Sequence, residues 1–90
     1  GGLAAALALL RAGQPVVVAE QSPALGEVGA GLTLAPNATR VLHALGLEAD
    51  LAGMANYPDR GAVRHYRTGE PFTVSERADS TARFGAPYCQ

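Results

Sequence analysis

Residues 3–10, Leu-Ala-Ala-Ala-Leu-Ala-Leu-Leu, are apolar without one β-branched side chain, and residues 16–18 are three consecutive valines. The first run joins the two strongest helix formers and predicts a helix ending at Ala12, with Gly13 as its stop. The second predicts a strand over residues 15–19, continuous in apolar side chains and therefore covered on both faces of a parallel sheet. A helix apolar on nearly every side must be buried over most of its surface, and its alanines allow close approach to such a sheet. The local order is thus helix, tight turn, buried strand.

What surrounds this unit reads as follows. Residues 21–30 contain Pro23, Gly26 and Gly29 among polar neighbours and predict a loop. Residues 31–34 alternate briefly and predict a short strand. Pro36 at a first helical position opens a second helix with Ala38, Val41, Leu42 and Leu45 at i, i+3, i+4 and i+7, closed by Gly46. One or two further turns are expected over residues 47–52, before Gly53. Alternation from Ala62 to Arg67 and again over residues 72–74, around Thr68-Gly69-Glu70, predicts a β-hairpin. Residues 75–83 show no period and read as a loop or weak helix, and residues 84–88 as an ordered turn.

Composition narrows the function. Seven arginines, no lysine and eight acids leave a formal charge of −1, which supplies no basic face for a phosphate backbone, so nucleic acid is not expected as a partner. The single Cys89 permits neither an internal disulfide nor a multi-cysteine metal site, and a reducing, cytoplasmic setting fits best. Residues 3–10 are far short of the roughly 20 needed to span a bilayer, so no membrane is expected. They match a signal-peptide core in length, but the chain opens on Gly1-Gly2 without Met or a basic lead-in. It reads instead as an internal piece of a longer product.

The chemistry-bearing features cluster early. Gly1-Gly2 opens the first helix, and eighteen positions after Gly2 stands Glu20, at the end of the predicted strand. A helix N-terminus offers free N–H groups to a pyrophosphate, glycine admits close backbone approach, and a carboxylate at a strand end accepts bonds from ribose hydroxyls. This is the latter part of a dinucleotide-binding unit, with Gly2 as the last glycine of the fingerprint. An ordinary αβ unit with a solvated Glu20 remains open on these residues alone. A carboxylate here repels a 2′-phosphate, so FAD or NAD is expected at this place and not NADP. The stretch from Glu27 to Ala38 is a second candidate: two glycines flanking Ala30 bring backbone close to a flat group, and a plain glycine-rich turn is the alternative.

Gly2-Leu3-Ala4-Ala5-Ala6, Glu20-Gln21, Glu27-Val28-Gly29-Ala30-Gly31, Pro36-Asn37-Ala38 with Leu45-Gly46-Leu47, and Phe84-Gly85-Ala86-Pro87-Tyr88 together resemble the single-component flavoprotein aromatic hydroxylases, close to the salicylate and 3-hydroxybenzoate 6-hydroxylases. The resemblance implies an α/β fold: part of a Rossmann-like FAD-binding domain, a βαβ unit lacking its first strand, followed by a helix and a β-hairpin. Residues 1–90 would be a partial FAD-binding domain, with the rest of the enzyme outside the chain. FAD would be the cofactor, NADH or NADPH the reductant, and a small aromatic substrate with O2 the reactants, one oxygen entering the ring and the other leaving as water. Gly1, Gly2 and Leu3 would lie by the FAD pyrophosphate, Glu20 and Gln21 by the adenosine ribose, and Val28, Gly29 and Ala30 toward the flavin. Thr33 aligns with a place where some relatives carry a histidine, and a threonine hydroxyl is no base near neutral pH. No catalytic residue is assigned within the 90 residues, which by themselves are expected to be inactive.

Two other readings compete: a fragment of an NAD-dependent dehydrogenase, and a non-catalytic α/β module. Residues with titratable groups elsewhere read as structural. His43 is expected to be solvated or capping, His65 to alternate within the hairpin, Arg40 to be solvated, and Arg64 and Arg67 to stack on Tyr66 or pair with Glu70. His43, His65 and Cys89 have no metal-ligand spacing, and Cys89 has no neighbour to activate it.

Overall fold

The computed structural model describes every residue except 27, 28 and 30. The chain mixes helix and strand and divides into two compact units, Gly1–Gly31 and Leu32–Gln90.

In the first unit α1 spans Gly2–Arg11, as the Ala/Leu run predicts. Its end is closed by a Schellman motif: Gly13, at φ 76°, donates its N–H to Leu10 O at 3.0 Å, and Gln14 donates to Leu9 O at 3.0 Å. This is a turn that needs glycine, because the backbone is left-handed there. The strand predicted over residues 15–19 is not formed. Residues 14–20 carry no ladder pairing, and Val17 is 96% exposed. A strand exists only by bonding to a neighbour, and among the described residues none pairs with this one. The same lack corrects the expected burial of α1. Only Ala6 is buried, while Leu3 and Leu10 are 60% and 55% exposed.

The second unit holds the remaining elements. Helix α2 spans Pro36–Ala44 with Pro36 at its first turn, and ends in a second Schellman motif in which Gly46, at φ 72°, donates to His43 O and Leu47 to Leu42 O. Its buried face differs from the predicted stripe: Pro36, Thr39 and Leu45 are buried and Val41 is exposed. Helix α3 spans Glu48–Met54, so Gly53 lies inside it rather than ending it. The predicted hairpin is present as β1 (Arg60–Arg64) paired antiparallel with β2 (Pro71–Glu76), in the register Ala62 to Val74, with an irregularity between Val63 and Arg64. Helix α4, Ser80–Phe84, resolves the predicted loop or weak helix and ends on Gly85 at φ 75°.

What ties this unit together lies near its last residues. Leu34 and Cys89 exchange backbone bonds at 2.9 and 3.1 Å, and Asn56 and Gln90 do the same at 2.7 and 2.8 Å. Residues 89–90 thus bond alternately to one extended segment and then the other. The strand expected over residues 31–34 is reduced to this single bridge at Leu34. Cys89 and Ala86 are each 1% exposed, and Thr39 is 0% exposed. The exit of β2 is fixed to Asp59, whose carbonyl accepts the N–H groups of Arg77 and Ala78.

Candidate functional site: a helix N-terminus and a carboxylate

The first unit carries the residues at which the sequence leads one to expect dinucleotide binding. Gly1 is the N-cap of α1 and Ala5 donates to its carbonyl at 3.0 Å. The N–H groups of Gly2, Leu3 and Ala4 therefore precede the first intrahelical bond and have no acceptor inside the helix. No side-chain hydrogen bond caps this end and no acid stands in its first turn, so the helix itself supplies nothing to offset the positive end of its dipole. A Cβ added at Gly1 or Gly2 would meet nothing within 4 Å. The folded chain thus imposes no steric demand for glycine here; any such demand comes from a group lying against the backbone.

Glu20 is exposed, and its Oε1 accepts the N–H of Ser22 at 2.8 Å, while the Ser22 hydroxyl donates to Ala24 O at 2.7 Å. The carboxylate is oriented by its own loop through one oxygen, and Oε2 is left to accept other donors. Gln21 follows in the same bend, exposed. Among the described residues no hydrogen bond joins Glu20 to the opening of α1, so the two halves of the predicted site are each formed locally and not through one another. Gly29 sits in a bend at φ 112°, a conformation reserved for glycine. Val28 and Ala30, assigned to the flavin side, lie outside the described residues.

These groups fit the adenosine diphosphate half of FAD. Three backbone donors at a helix end suit a pyrophosphate, an exposed carboxylate with a free oxygen suits ribose hydroxyls, and the open space at both glycines leaves room for close approach.

In the second unit, the other residues singled out from sequence take structural parts. His65 closes the hairpin tip: its Nδ1 accepts the N–H groups of Arg67 and Thr68 at 3.2 and 3.3 Å, and its ring stacks on Tyr66. Arg67 lies over Tyr66 at 5.2 Å, as expected, whereas Arg64 donates to Gly69 O at 3.0 Å instead of pairing with Glu70. His43 is half-buried on α2. Burial pushes the Cys89 thiol up from its ordinary pKa. Among the described residues no group of three His, Cys, Asp or Glu is placed to hold a metal ion, and no helix is long and apolar enough to cross a membrane.

Sequence reasoning missed two features. Thr39, inside the predicted helix, is the most buried polar side chain, and Arg40 beside it lines an open groove. A hydroxyl at an interior helix position was the available signal for the first, because threonine disfavours that place unless its oxygen is bonded.

No protein-family model matches the chain. Among curated proteins, it is 42% identical over 88 residues to the 3-amino-4-hydroxybenzoate 2-monooxygenase of Streptomyces platensis, covering 97% of this chain and 22% of that protein. It is 43% identical over 97 residues to the 3-hydroxybenzoate 6-hydroxylase of Polaromonas naphthalenivorans, covering 98% of this chain and 22% of that one. An FAD-dependent monooxygenase of Beauveria bassiana matches at 35% identity over 97% of this chain and 21% of its own length. Over nearly its whole length the chain is thus similar to a short portion of proteins named as aromatic hydroxylases and monooxygenases. It spans about 22% of the length of the first of these relatives.

Proposed function

We propose that the chain is the part of an FAD-dependent aromatic-ring monooxygenase that holds the adenosine diphosphate half of the flavin cofactor. The observation that carries this reading is the uncapped opening of α1, with three N–H groups and no acid, on a chain similar to aromatic hydroxylases over nearly its whole length. The backbone of Gly2, Leu3 and Ala4 donates to the pyrophosphate, and Glu20 accepts from the ribose hydroxyls. Gln21 lies beside that ribose, and Val28, Gly29 and Ala30 extend toward the ring system. Bound FAD supplies the redox chemistry by which O2 is split between the substrate and water.

In this reading residues 1–90 are a partial FAD-binding domain of Rossmann-like architecture, and residues 15–19 become a strand once paired with a neighbouring strand of the same sheet. Support comes from their three valines and from the exposure of Val17 and Val18 here. NADH or NADPH serves as reductant, and the substrate is a small aromatic ring bearing hydroxyl or carboxylate groups, as the relatives' names indicate for those proteins. The lone unpaired cysteine fits a reducing, cytoplasmic setting.

The test is flavin retention in the intact enzyme. Glu20→Ala is expected to lower bound FAD on purification and raise the FAD dissociation constant about tenfold, the effect of losing a hydrogen bond to a charged group. Undiminished flavin content in that variant overturns the ribose assignment.

A further inference from the structure

The second unit contains an open groove of about 620 Å³, lined by Pro36, Asn37, Arg40, Arg83, Phe84 and Tyr88. It lies where α2 packs beside α4, and it contains none of the residues assigned to flavin. Its chemistry is specific in kind: two guanidinium groups and two aromatic rings line one concavity. The Arg40 guanidinium makes no ion pair or hydrogen bond among the described residues. Arg83 approaches Asp79 through Nε at 3.9 Å, a long contact on an exposed pair that leaves the guanidinium able to meet another acceptor. The guanidinium of Arg83 also lies 4.9 Å from the Phe84 ring centroid. Tyr88 is held in place from two directions, by Arg77 stacked at 4.3 Å and by the Leu34 bridge to the next residue, Cys89. Tyr88 is therefore positioned before any ligand arrives, which lowers the ordering cost of binding on that side of the groove.

We propose that this groove binds a nucleotide-sized aromatic phosphate, its ring against Phe84 and Tyr88 and its phosphate met by Arg40 and Arg83. Two arginines match a phosphate's double charge and its several acceptor oxygens better than a single carboxylate. Stacking on aromatic faces holds a planar base. The volume falls in the range of small-molecule and cofactor sites and exceeds what one benzene ring fills.

Calorimetric titration of the protein in the presence of saturating FAD tests this, with adenosine 5′-monophosphate, adenosine, inorganic phosphate and benzoate as separate probes. The nucleotide is expected to bind at least about tenfold more tightly than phosphate or adenosine alone, because ring and charge are both used. Arg40→Gln and Arg83→Gln, both at exposed positions, are each expected to weaken it about fivefold to tenfold. Phe84→Leu is expected to weaken the nucleotide while leaving phosphate unchanged. Glu20→Ala is expected to leave nucleotide affinity unchanged, which separates this groove from the flavin assignment. The proposal is overturned if nucleotide affinity survives both arginine substitutions, if it falls with Glu20→Ala instead, or if benzoate or phosphate binds as well as the nucleotide.

Discussion

The hydroxyl of Thr39 donates to the carbonyl of Pro87 at 2.7 Å, joining α2 to a segment 48 residues away. Thr39 is fully buried, and the carbonyls of Pro36 and Ala35 lie at 3.3 and 3.5 Å from the same oxygen. Thr39 directly precedes Arg40 and Pro87 directly precedes Tyr88, so the bond joins the neighbours of two groove residues. Thr39→Val keeps the shape but removes the donor, leaving a part-buried carbonyl unsatisfied. A loss of about 1–3 kcal/mol is expected. Urea unfolding of the variant reads it, and Thr39→Ser, which restores the hydroxyl, is expected to recover part of the loss.

Gly61 and Arg77 form a second coupled pair. A Cβ at Gly61 would stand 2.6 Å from an Arg77 terminal nitrogen and 2.8 Å from its Cζ. Arg77 is also the cation stacked on Tyr88. The side chain is flexible at that end, so Gly61→Ala is accommodated by moving the guanidinium, at the cost of the cation–π contact between two half-buried residues, worth about 0.5–2 kcal/mol. In an Arg77→Ala background the clash is absent, and alanine improves on glycine within a strand. The same substitution is then expected to be neutral or stabilising. A double-mutant cycle with no coupling between the two positions would contradict this account.

At the hairpin tip, His65 Nδ1 is the acceptor for two backbone N–H groups, and its ring meets Phe72 edge-on at 5.7 Å. His65→Phe retains an aromatic ring and deletes the acceptor. Amide hydrogen exchange at Arg67 and Thr68 is expected to quicken severalfold, with the amides of Leu34 and Cys89 unchanged. Equal acceleration at both places would mean that the hairpin tip and the bridge open together.

The legible parts of the fold were those whose signals are local. The alanine and leucine run gives α1, Pro36 and Gly46 bracket α2, and Thr68-Gly69-Glu70 between alternating residues gives the hairpin. The pairing of residues 89–90 with Leu34 and Asn56 was not legible, because such bonds use backbone groups that every residue has and depend on distant chain coming together. The valine strand is not formed for the same reason turned around: three valines state a preference for a ladder, but only a neighbouring strand supplies one. At the candidate site, the helix opening at Gly1-Gly2 was readable because a helix end is a local feature, and the binding role of Glu20 stays a proposal. Arg40 and Arg83 share a groove only through packing of α2 beside α4, which their separate positions in sequence do not reveal.

Cys89 is 1% exposed and its thiol pKa is raised by desolvation, which disfavours the thiolate. Alkylation by iodoacetamide at pH 8, followed by mass spectrometry, is expected to be slow in the folded protein and to accelerate at denaturing urea. The pH dependence has a definite sign. The folded state holds the thiol proton more tightly than the unfolded state, so this group leaves stability unaffected well below the ordinary value of 9.0 and reduces it as pH rises past that value. Cys89→Ala is expected to flatten that alkaline decline, and an unchanged decline would assign it to other groups.

The last expectation concerns the 90 residues by themselves. Val17 is 96% exposed, Leu3 and Leu10 are more than half exposed, and residues 14–20 have no ladder partner among the described residues. Unpaired backbone and exposed branched side chains are both costly and adhesive, so the first unit gains by covering them. Without that cover, the backbone leading into Glu20 has no sheet to fix it, and the carboxylate is not held at a set distance from the N–H groups of α1. Binding then carries the cost of ordering both halves. The isolated chain is accordingly expected to bind FAD weakly, with no stoichiometric quenching of flavin fluorescence at micromolar protein, while the intact enzyme quenches or retains it. Tight one-to-one binding by the 90 residues alone would show that α1 and Glu20 already form a complete site, and the strand at residues 15–19 would no longer be needed to explain it.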